Sequence, residues 1–423
     1  MTGPATPKPQ TETARRAGWG VAIAATLGMS VSYIDRQTLA AIAPAIRTAL
    51  SINHTQFGWL VSGFSMAYLV GAPAAGVVVD RLGARRGFAV AVVVWSLVAG
   101  AHAFASSFAA LFALRILLGA AEAPSFPAAA QATRRSLPGG RRAAAYGLLF
   151  TGSSLGAMIA APLAVSLEAR YGFRLAFVGT AVLGTVWIPF WLIMTRGDRI
   201  PPEEAPASQQ PRAPAPAPAP WLDVVRSPAV LRALVAVFGS APAIMFVLNW
   251  SSQYLVERWL LARTSIGGYL VVPPLLFDLG AVGFGWIASG REREQETGNT
   301  GTGTRTQRDL LLCAAALASL LALAPLAPSP GVAMVIFGVA ACGGGGIYVI
   351  VTADMLARVP IGRTSSAGGM TAAAQSLAHV LASPLVGMAI DRTHGYSVPM
   401  VLLGLAVIPT SLAFVLWPPV GKR

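Results

Sequence analysis

Long apolar runs separated by short polar segments dominate the hydropathy pattern of the chain. An α-helix needs roughly 20 apolar residues to cross the hydrocarbon core of a bilayer. Runs of that length predict twelve membrane-spanning helices, at about 19–44, 57–79, 87–106, 108–133, 143–167, 174–195, 229–256, 265–290, 309–327, 331–357, 364–390 and 397–417. The pattern therefore predicts an all-α polytopic membrane protein.

A proline- and alanine-rich tract, APAPAPAPW at 213–221, divides the twelve runs into two sets of six. Such a tract favours extended polyproline II structure over packed structure, which is typical of a linker. The predicted organisation is a tail, a six-helix bundle, a linker, a second six-helix bundle and a tail, at 1–18, 19–195, 196–228, 229–417 and 418–423.

The two predicted bundles also resemble each other in sequence. At a constant offset of 222, Gly140 aligns with Gly362, Arg141 with Arg363, and Ser154-Leu155 with Ser376-Leu377. These residues belong to the start and body of the fifth and eleventh spans, which have the same predicted orientation. A parallel repeat of this kind predicts two pseudo-symmetric halves with a substrate site between them.

Composition and charge agree with a membrane protein and exclude several other classes. Only 11% of the residues are charged and the mean hydropathy is +0.62, whereas soluble proteins carry about 25% charged residues. The net charge of +14 does not indicate nucleic acid, because the basic residues lie in short clusters between apolar runs. Cys313 and Cys342 fall inside apolar runs, and no metal-binding or catalytic motif is present, so no metal and no enzyme activity are predicted.

The distribution of lysine and arginine predicts the orientation. Of the 31 such residues, 23 lie on the side of the chain termini and six on the opposite side. Cytoplasmic loops carry the excess of these residues. Both termini are therefore predicted to be cytoplasmic, in a multi-pass protein of the inner cell membrane.

The loop after the second span reads GVVVDRLGARRG, at 76–87. It resembles the G-x-x-x-D-R-x-G-R-R signature of the major facilitator superfamily, and a diverged copy, GWIASGRERE, stands at 285–294. The resemblance implies a breakable ion-pair cluster that gates the cytoplasmic face, formed by Asp80, Arg81, Arg85 and Arg86. The alternative is an ordinary basic loop.

Four charged residues lie deep inside the first and fourth spans: Asp35, Arg36, Arg115 and Glu122. Each costs roughly 2.5–3.5 kcal/mol at mid-bilayer on insertion scales, so such residues usually face the bundle interior and serve a function. Glu122 follows Arg115 by seven residues, which places both on one helix face about 10 Å apart. Asp35 is turned about 100° from Arg36 and is expected to reach a second partner such as Arg115.

A buried carboxylate beside a guanidinium has two favourable states. It is either ionised and paired, or protonated after another anion has taken the arginine. Arginine suits the anion-binding role because its planar fork binds carboxylates bidentately and stays charged. The four residues therefore indicate a proton-coupled anion switch, with a permanent ion-pair network as the alternative.

Two segments, YIDRQTL (33–39) and RILLGAAEAPSFPAA (115–129), resemble the anion:cation symporter family within the same superfamily. That family contains hexuronate, galactonate and glucarate permeases. The resemblance implies that Asp35 and Glu122 carry protons, and that Arg36 and Arg115 hold the substrate carboxylate.

Further polar residues inside the spans are candidate contacts for substrate hydroxyl groups, with helix–helix hydrogen bonding as the alternative for each: Tyr33, Ser154, Asn249, Gln375 and Ser376. For Asp278, packing or gating is an alternative to substrate contact. The lone His379 is interpreted as structural, and Asp354 is expected near a solvated helix end.

The predicted function is proton-coupled uptake of a small organic anion, a sugar acid such as a hexuronate, aldonate or aldarate, by rocker-switch alternating access. The expected partners are the anion, protons and the lipid bilayer; no cofactor is expected because the proton gradient supplies the energy, and the protein is expected to be a monomer. A drug:proton antiporter is the alternative within transport, but it would favour buried acids without the two central arginines. A non-transporting membrane sensor is the alternative outside transport, and it would carry an appended signalling domain.

Overall fold

The computed structural model describes residues 12–200, 226–296, 303–359 and 364–417. These residues are almost entirely helical. The α-helices are α1 (Glu12–Ala41), α2 (Ala43–Leu50), α3 (His54–Leu82), α4 (Ala84–Ala101), α5 (Phe108–Glu122), α6 (Ser125–Ser136), α7 (Gly139–Met194), α8 (Pro228–Trp259), α9 (Val272–Glu296), α10 (Gly303–Ser319), α11 (Pro330–Arg358), α12 (Thr364–Thr393) and α13 (Ser397–Leu416). Most of the predicted linker, residues 201–225, and the predicted C-terminal tail lie outside the described residues.

Helices are the expected structure because a bilayer offers no water to backbone groups, which a helix satisfies internally. Several helices begin at a serine that caps them. The side chains of Ser107, Ser227 and Ser329 each accept a hydrogen bond from the backbone N–H three residues later, at the start of α5, α8 and α11. Pro228 and Pro330 then occupy the first helical position, where the missing N–H costs nothing.

Nine segments of the described residues are long and apolar enough to cross a membrane, or ten if the two arms of α3, bent by 56° at Pro73, form one span. The longest segment, Ala144–Met194, contains two helices that meet at Gly172. The φ of Gly172 is 80°, a conformation that favours glycine, and it ends one helix and starts the next. Counting α3 as one span gives ten segments. Counting the two arms of Ala144–Met194 separately and adding α1, which carries Asp35 and Arg36, gives twelve long segments, consistent with the predicted number.

The helices form two halves, α1–α7 and α8–α13. In the first half α1 packs most extensively against α7, and in the second half α9 packs against α11. The largest contact between the halves joins α3 to α12. We call the end of the bundle where α1 finishes the distal end, and the end where α1 begins the terminal end.

The α3–α12 contact brings the two backbones together near the distal end. A Cβ atom on Gly387 would lie 2.5 Å from the carbonyl carbon of His54 and 2.7 Å from Cα of Thr55. Further along the same contact, Ser62 Oγ donates a hydrogen bond of 2.8 Å to the carbonyl of Val380. Hydrogen bonds and ion pairs also join the two halves at the distal end, so the protein is closed there.

Candidate functional site

The central feature of the first half is a buried ion pair between α1 and α5. Nη2 of Arg36 lies 2.9 Å from Oε2 of Glu122, and Nε lies 3.3 Å from the same oxygen. Ser32 Oγ donates a third hydrogen bond to Oε2, at 2.8 Å, whereas Oε1 has no hydrogen-bond partner among the described residues. Glu122 is fully buried. The structure thus brings together two of the four predicted charged residues.

Aromatic rings surround the two arginines of the site. The guanidinium carbon of Arg36 lies 4.5 Å from the ring centre of Tyr33, 4.6 Å from Phe64 and 5.0 Å from Tyr68. The guanidinium carbon of Arg115 lies 4.8 Å from the ring centre of Phe64. Such cation–π contacts stabilise guanidinium groups away from water. Phe64 and Tyr68 were not predicted; their sequence signal is an aromatic pair four residues apart on one face of the second span.

Arg115 is buried, with only 3% of its surface exposed. Its Nε and Nη1 atoms have no hydrogen-bond partner among the described residues. A buried guanidinium with unused N–H donors is well suited to bind an anion. Arg115 therefore offers anion-binding capacity that the protein itself does not use in this conformation.

The expected pairing of Asp35 with Arg115 is wrong. Asp35 is 2% exposed, and neither carboxylate oxygen has a hydrogen-bond partner in the described part of the chain. Trp95 on α4 lies near this carboxylate, but its indole N–H is also without a hydrogen-bond partner. Asp35 lies near Trp95 of α4 and forms no ion pair with Arg115.

The remaining predicted contacts occupy different surroundings. Ser154 Oγ donates a short hydrogen bond to Oδ1 of Asp278, which joins α7 of the first half to α9 of the second. Asn249 donates to the carbonyl of Met245 in its own helix, at 2.9 Å. Gln375 is half-buried and forms no hydrogen bond with another described residue.

Two α12 residues complete the predicted set. Ser376 is half-buried, like Gln375, and has no hydrogen-bond partner among the described residues. His379 lies close enough to Arg36 for an electrostatic interaction, and its Nε2 atom lacks a hydrogen-bond partner in the described region. His379 therefore lies near the charged site, in the opposite half.

The predicted ion-pair cluster at the terminal end is not formed in this conformation. Asp80 accepts a hydrogen bond of 2.6 Å from Nε2 of Gln131 on α6. Arg85 donates to Oγ1 of Thr195 at 3.1 Å, beyond the end of α7. Arg81 and Arg86 are exposed. Asp80 and Arg85 face different helices, so no ion pair joins them, and the gating role of the cluster stays a prediction.

Asp354 is not solvated, which corrects the expectation from its place near a helix end. It is 7% exposed and forms ion pairs with Arg358, at 2.9 Å, and with Arg232. Arg232 lies in the second turn of α8, which begins at Pro228. Its guanidinium carbon lies 4.3 Å from the ring centre of Phe414. This cluster joins three helices of the second half.

A polar network that the sequence did not predict closes the distal end. It contains residues from both halves, and we call it the distal network: Arg47, His54, Thr55, Gln253, Glu257, Asp391 and Tyr396. The ring nitrogens of His54 lie 2.7 Å from Oδ1 of Asp391 and 2.8 Å from Oε2 of Glu257. Arg47 forms an ion pair with Glu257 and donates to Gln253 Oε1 at 2.9 Å.

Asp391 also caps the first turn of α3 from the opposite half. The backbone N–H groups of His54 and Thr55 donate to its two oxygens at 3.1 and 2.8 Å. A carboxylate at a helix N-terminus is stabilised by the helix dipole as well as by these bonds. Burial and the neighbouring carboxylate of Glu257 raise the pKa of Tyr396, so its hydroxyl stays protonated and donates to Glu257 Oε2 at 2.8 Å.

Comparison with known proteins agrees with this architecture. The sequence model described as "Major Facilitator Superfamily" matches residues 25–383. The chain is 28% identical over 402 residues to the hexuronate transporter of Bacillus subtilis (strain 168), covering 93% of both chains. It is 37% identical to the hexuronate transporter of Escherichia coli (strain K12), in a match of 181 residues that spans 43% of this chain and only 42% of that transporter.

Among solved structures, a bacterial homolog to the human lysosomal transporter Spinster, in an inward-facing and unoccupied conformation, has the same fold. Its TM-score is 0.77 at 17% sequence identity, over 97% of both chains. The predicted fold class is confirmed, and the relatives are transporters and not enzymes, as predicted. The family match extends over most of the chain, and the chain therefore belongs to the major facilitator superfamily of membrane transporters.

Proposed function

We propose that the protein is a secondary active transporter that takes up a small sugar acid, such as a hexuronate, together with protons. The observation that carries this proposal is the buried pair of Arg36 and Glu122 beside Arg115, whose donors are unused. The names of the relatives, hexuronate transporters from two bacteria, support a sugar acid as the substrate.

The geometry provides a mechanism for exchange between an internal and an external carboxylate. The carboxylate of the substrate competes with Glu122 for Arg36 and uses the free N–H groups of Arg115. Glu122 then lacks a cationic partner in a fully buried position, where an ionised carboxylate is costly. Substrate binding therefore requires that Glu122 take up a proton, which couples the two ligands.

Asp35 is proposed as a second proton carrier. Its carboxylate is buried without an ion pair or a hydrogen bond to the described residues. The neutral acid is the form that such surroundings tolerate best. Since Asp35 is adjacent to Arg36 in sequence, a change in its charge alters the electrostatic field at the substrate site.

Energetic considerations also favour coupling of anion uptake to a cation such as the proton. A membrane potential, negative inside, opposes the entry of an anion by about 2.3 kcal/mol per charge per 100 mV. One proton per monovalent anion removes this penalty, and a second proton reverses it. Two buried carboxylic acids beside the arginines provide that capacity.

If the termini are cytoplasmic, as the basic residues predict, the closed distal end faces the outside and the site opens inward. Transport then requires that the halves rock about the central site, so that the distal network breaks and the terminal end closes. Asp80 and its neighbouring arginines would act in that second closure.

Uptake into proteoliposomes tests the proposed function. The panel contains labelled sugar acids, dicarboxylates and simple monocarboxylates, each with and without an inward proton gradient. Sugar-acid uptake that the gradient drives is the expected result, and flux that does not respond to the gradient would reject symport.

Two substitutions test the assigned residues in the same assay. Arg36→Gln is expected to abolish binding, whereas Glu122→Gln is expected to keep exchange between internal and external substrate and to lose accumulation. Arg170→Gln, at an exposed arginine, is the control. Unchanged accumulation in both site variants would show that the assignment is wrong.

A further inference from the structure

We propose that Asp278 recognises the hydroxyl groups of the substrate, so that the site selects polyhydroxylated monocarboxylates over simple carboxylates and over aldarates. This inference rests on the proposed function and deepens it. It assigns the two ends of the substrate to the two halves of the protein: the carboxylate to Arg36 in the first half, and the hydroxyl groups to Asp278 in the second.

The location of Asp278 is unusual for a carboxylate. It lies in the middle of the apolar segment Tyr269–Ala288, where a charge is costly to place. It forms no ion pair with the described residues, and its one described hydrogen bond comes from Ser154 of the opposite half. If Asp278 only joined the two helices, it would need one acceptor, for the hydrogen bond from Ser154. An ionised carboxylate offers about four acceptor positions. The side chain is half-buried, so the remaining positions are accessible.

The depth of Asp278 in the bundle is within about one helical turn of that of the arginine site. A Cβ atom on Gly156 would lie 2.9 Å from Cα of Ser30 and 2.8 Å from Cβ of Tyr33, which aligns this level of α7 with α1. Ser154 lies two residues, about 3 Å, nearer the terminal end. Arg36 points back along α1 and its guanidinium covers Tyr33. The guanidinium and the Asp278 carboxylate therefore differ in depth by about one helical turn.

That difference in depth suits a six-carbon sugar acid. Its middle hydroxyl groups lie within one helical turn of its carboxylate, and neighbouring hydroxyls can donate together to one carboxylate of the protein. Ser154 would give up its bond to Asp278 and bond to the substrate instead. A second carboxylate at the far end of an aldarate would meet the negative charge of Asp278, which is unfavourable in low dielectric.

The assignment also explains how substrate binding could favour movement of the halves. A ligand shifts a conformational equilibrium only by binding the two states with different affinity. A sugar acid bound at Arg36 and Asp278 contacts both halves, whereas a simple carboxylate contacts only the first.

Competition against labelled hexuronate in proteoliposomes tests the inference. The competitors are unlabelled hexuronate, hexanoate, which has no hydroxyl groups, and glucarate, which has two carboxylates. In Asp278→Asn, the affinity for hexuronate is expected to fall roughly tenfold to a hundredfold, the loss typical of a hydrogen bond to a charged group. Competition by hexanoate is expected to stay unchanged and competition by glucarate to improve.

Further variants separate recognition from folding. Asp309→Asn, at an exposed aspartate near the terminal end, is the matched control and should change nothing. Asp278→Glu keeps the carboxylate and is expected to keep the preference for hexuronate over hexanoate, even if its transport rate falls. Thermal unfolding of each purified variant in detergent reports whether the protein is folded.

If Asp278→Asn lost equal affinity for hexuronate and hexanoate, the inference would be overturned, because such a loss indicates a structural role. An unchanged preference would also overturn it. Both results leave the proposed function intact if the wild-type protein accumulates hexuronate and Arg36→Gln does not. A wild-type protein that binds no sugar acid would overturn both proposals.

Discussion

At the scale of single residues, the two acids of the central site differ in their surroundings although both are buried. Glu122 accepts hydrogen bonds from Arg36 and Ser32. Asp35 has neither an ion pair nor a hydrogen bond to the described residues. The first acid is thus stabilised in its ionised form by the protein, and the second is not.

This difference predicts opposite effects of neutral substitutions on stability. Asp35→Asn is expected to keep or raise the melting temperature, because it removes a buried carboxylate that has no partner. Glu122→Gln is expected to lower it, since breaking a buried ion pair from one side costs about 3–5 kcal/mol. Thermal unfolding of the purified proteins in one detergent, without substrate, measures both.

The comparison has an internal control, because both substitutions replace an acid with its amide. A melting temperature that falls as far in Asp35→Asn as in Glu122→Gln would show that Asp35 is held by a partner. In that case its role as a free proton carrier would be wrong.

At the scale of helices, the sequence predicts the elements well and their partners poorly. Apolar runs locate the spans because each must match the thickness of the bilayer. Periodicity also places Arg115 and Glu122 on one face of a helix. It does not tell which neighbour that face meets, so the pairing of Arg36 with Glu122 instead of Asp35 with Arg115 could not be derived.

The distal network shows the same limit more strongly. His54 and Asp391 are 337 residues apart in sequence, and each lies at a helix end where a polar residue needs no special explanation. Asp354 was misplaced because a charge near a helix end is expected to reach water, whereas here neighbouring helices bury it together with Arg232. Packing between helices decides these contacts, and no local pattern records it.

Contact between the backbones of α3 and α12 predicts a steric effect at Gly387. A side chain there would overlap with His54 and Thr55. Gly387→Val is therefore expected to disfavour the conformation that is closed at the distal end. Gly283→Val is the matched control, because no atom lies within 4 Å of the position of its Cβ.

Spin labels on exposed residues at the distal end can measure that shift. Cysteines at Ala49 in the first half and Thr393 in the second are suitable, after Cys313 and Cys342 are replaced by serine. Longer distances between the labels in Gly387→Val than in the control would agree with the prediction. Identical distance distributions would show that the α3–α12 contact adapts to a side chain.

At the scale of the whole molecule, alternating access requires that the two halves exchange contacts at one end for contacts at the other. The described contacts at the distal end are numerous and charged, and they join α3 to both α8 and α12. At the terminal end, Asp80 and Arg85 bind within their own half. The closed distal end is thus stabilised by polar bonds between the halves as well as by apolar packing.

The distal network predicts how the balance between the two conformations responds to the loss of charge. The double variant Glu257→Gln, Asp391→Asn keeps the shape of both side chains but weakens their bonds to Arg47, His54 and Tyr396. A hydrogen bond to a charged group contributes about 1.5–3 kcal/mol, and about 1.4 kcal/mol changes an equilibrium tenfold. The population that is open at the distal end is therefore expected to rise at least tenfold.

The same pair of spin labels measures this change, with Asp309→Asn as a control that removes an exposed carboxylate at the opposite end. A new population at longer distance in the double variant, absent from the control, is the expected result. If the network only covers the surface, the two distance distributions will coincide. In the proposed alternating-access cycle the weakened bonds break at each turnover, so the expected shift also predicts faster opening toward the distal side. Counterflow of substrate in proteoliposomes would report it as a higher exchange rate.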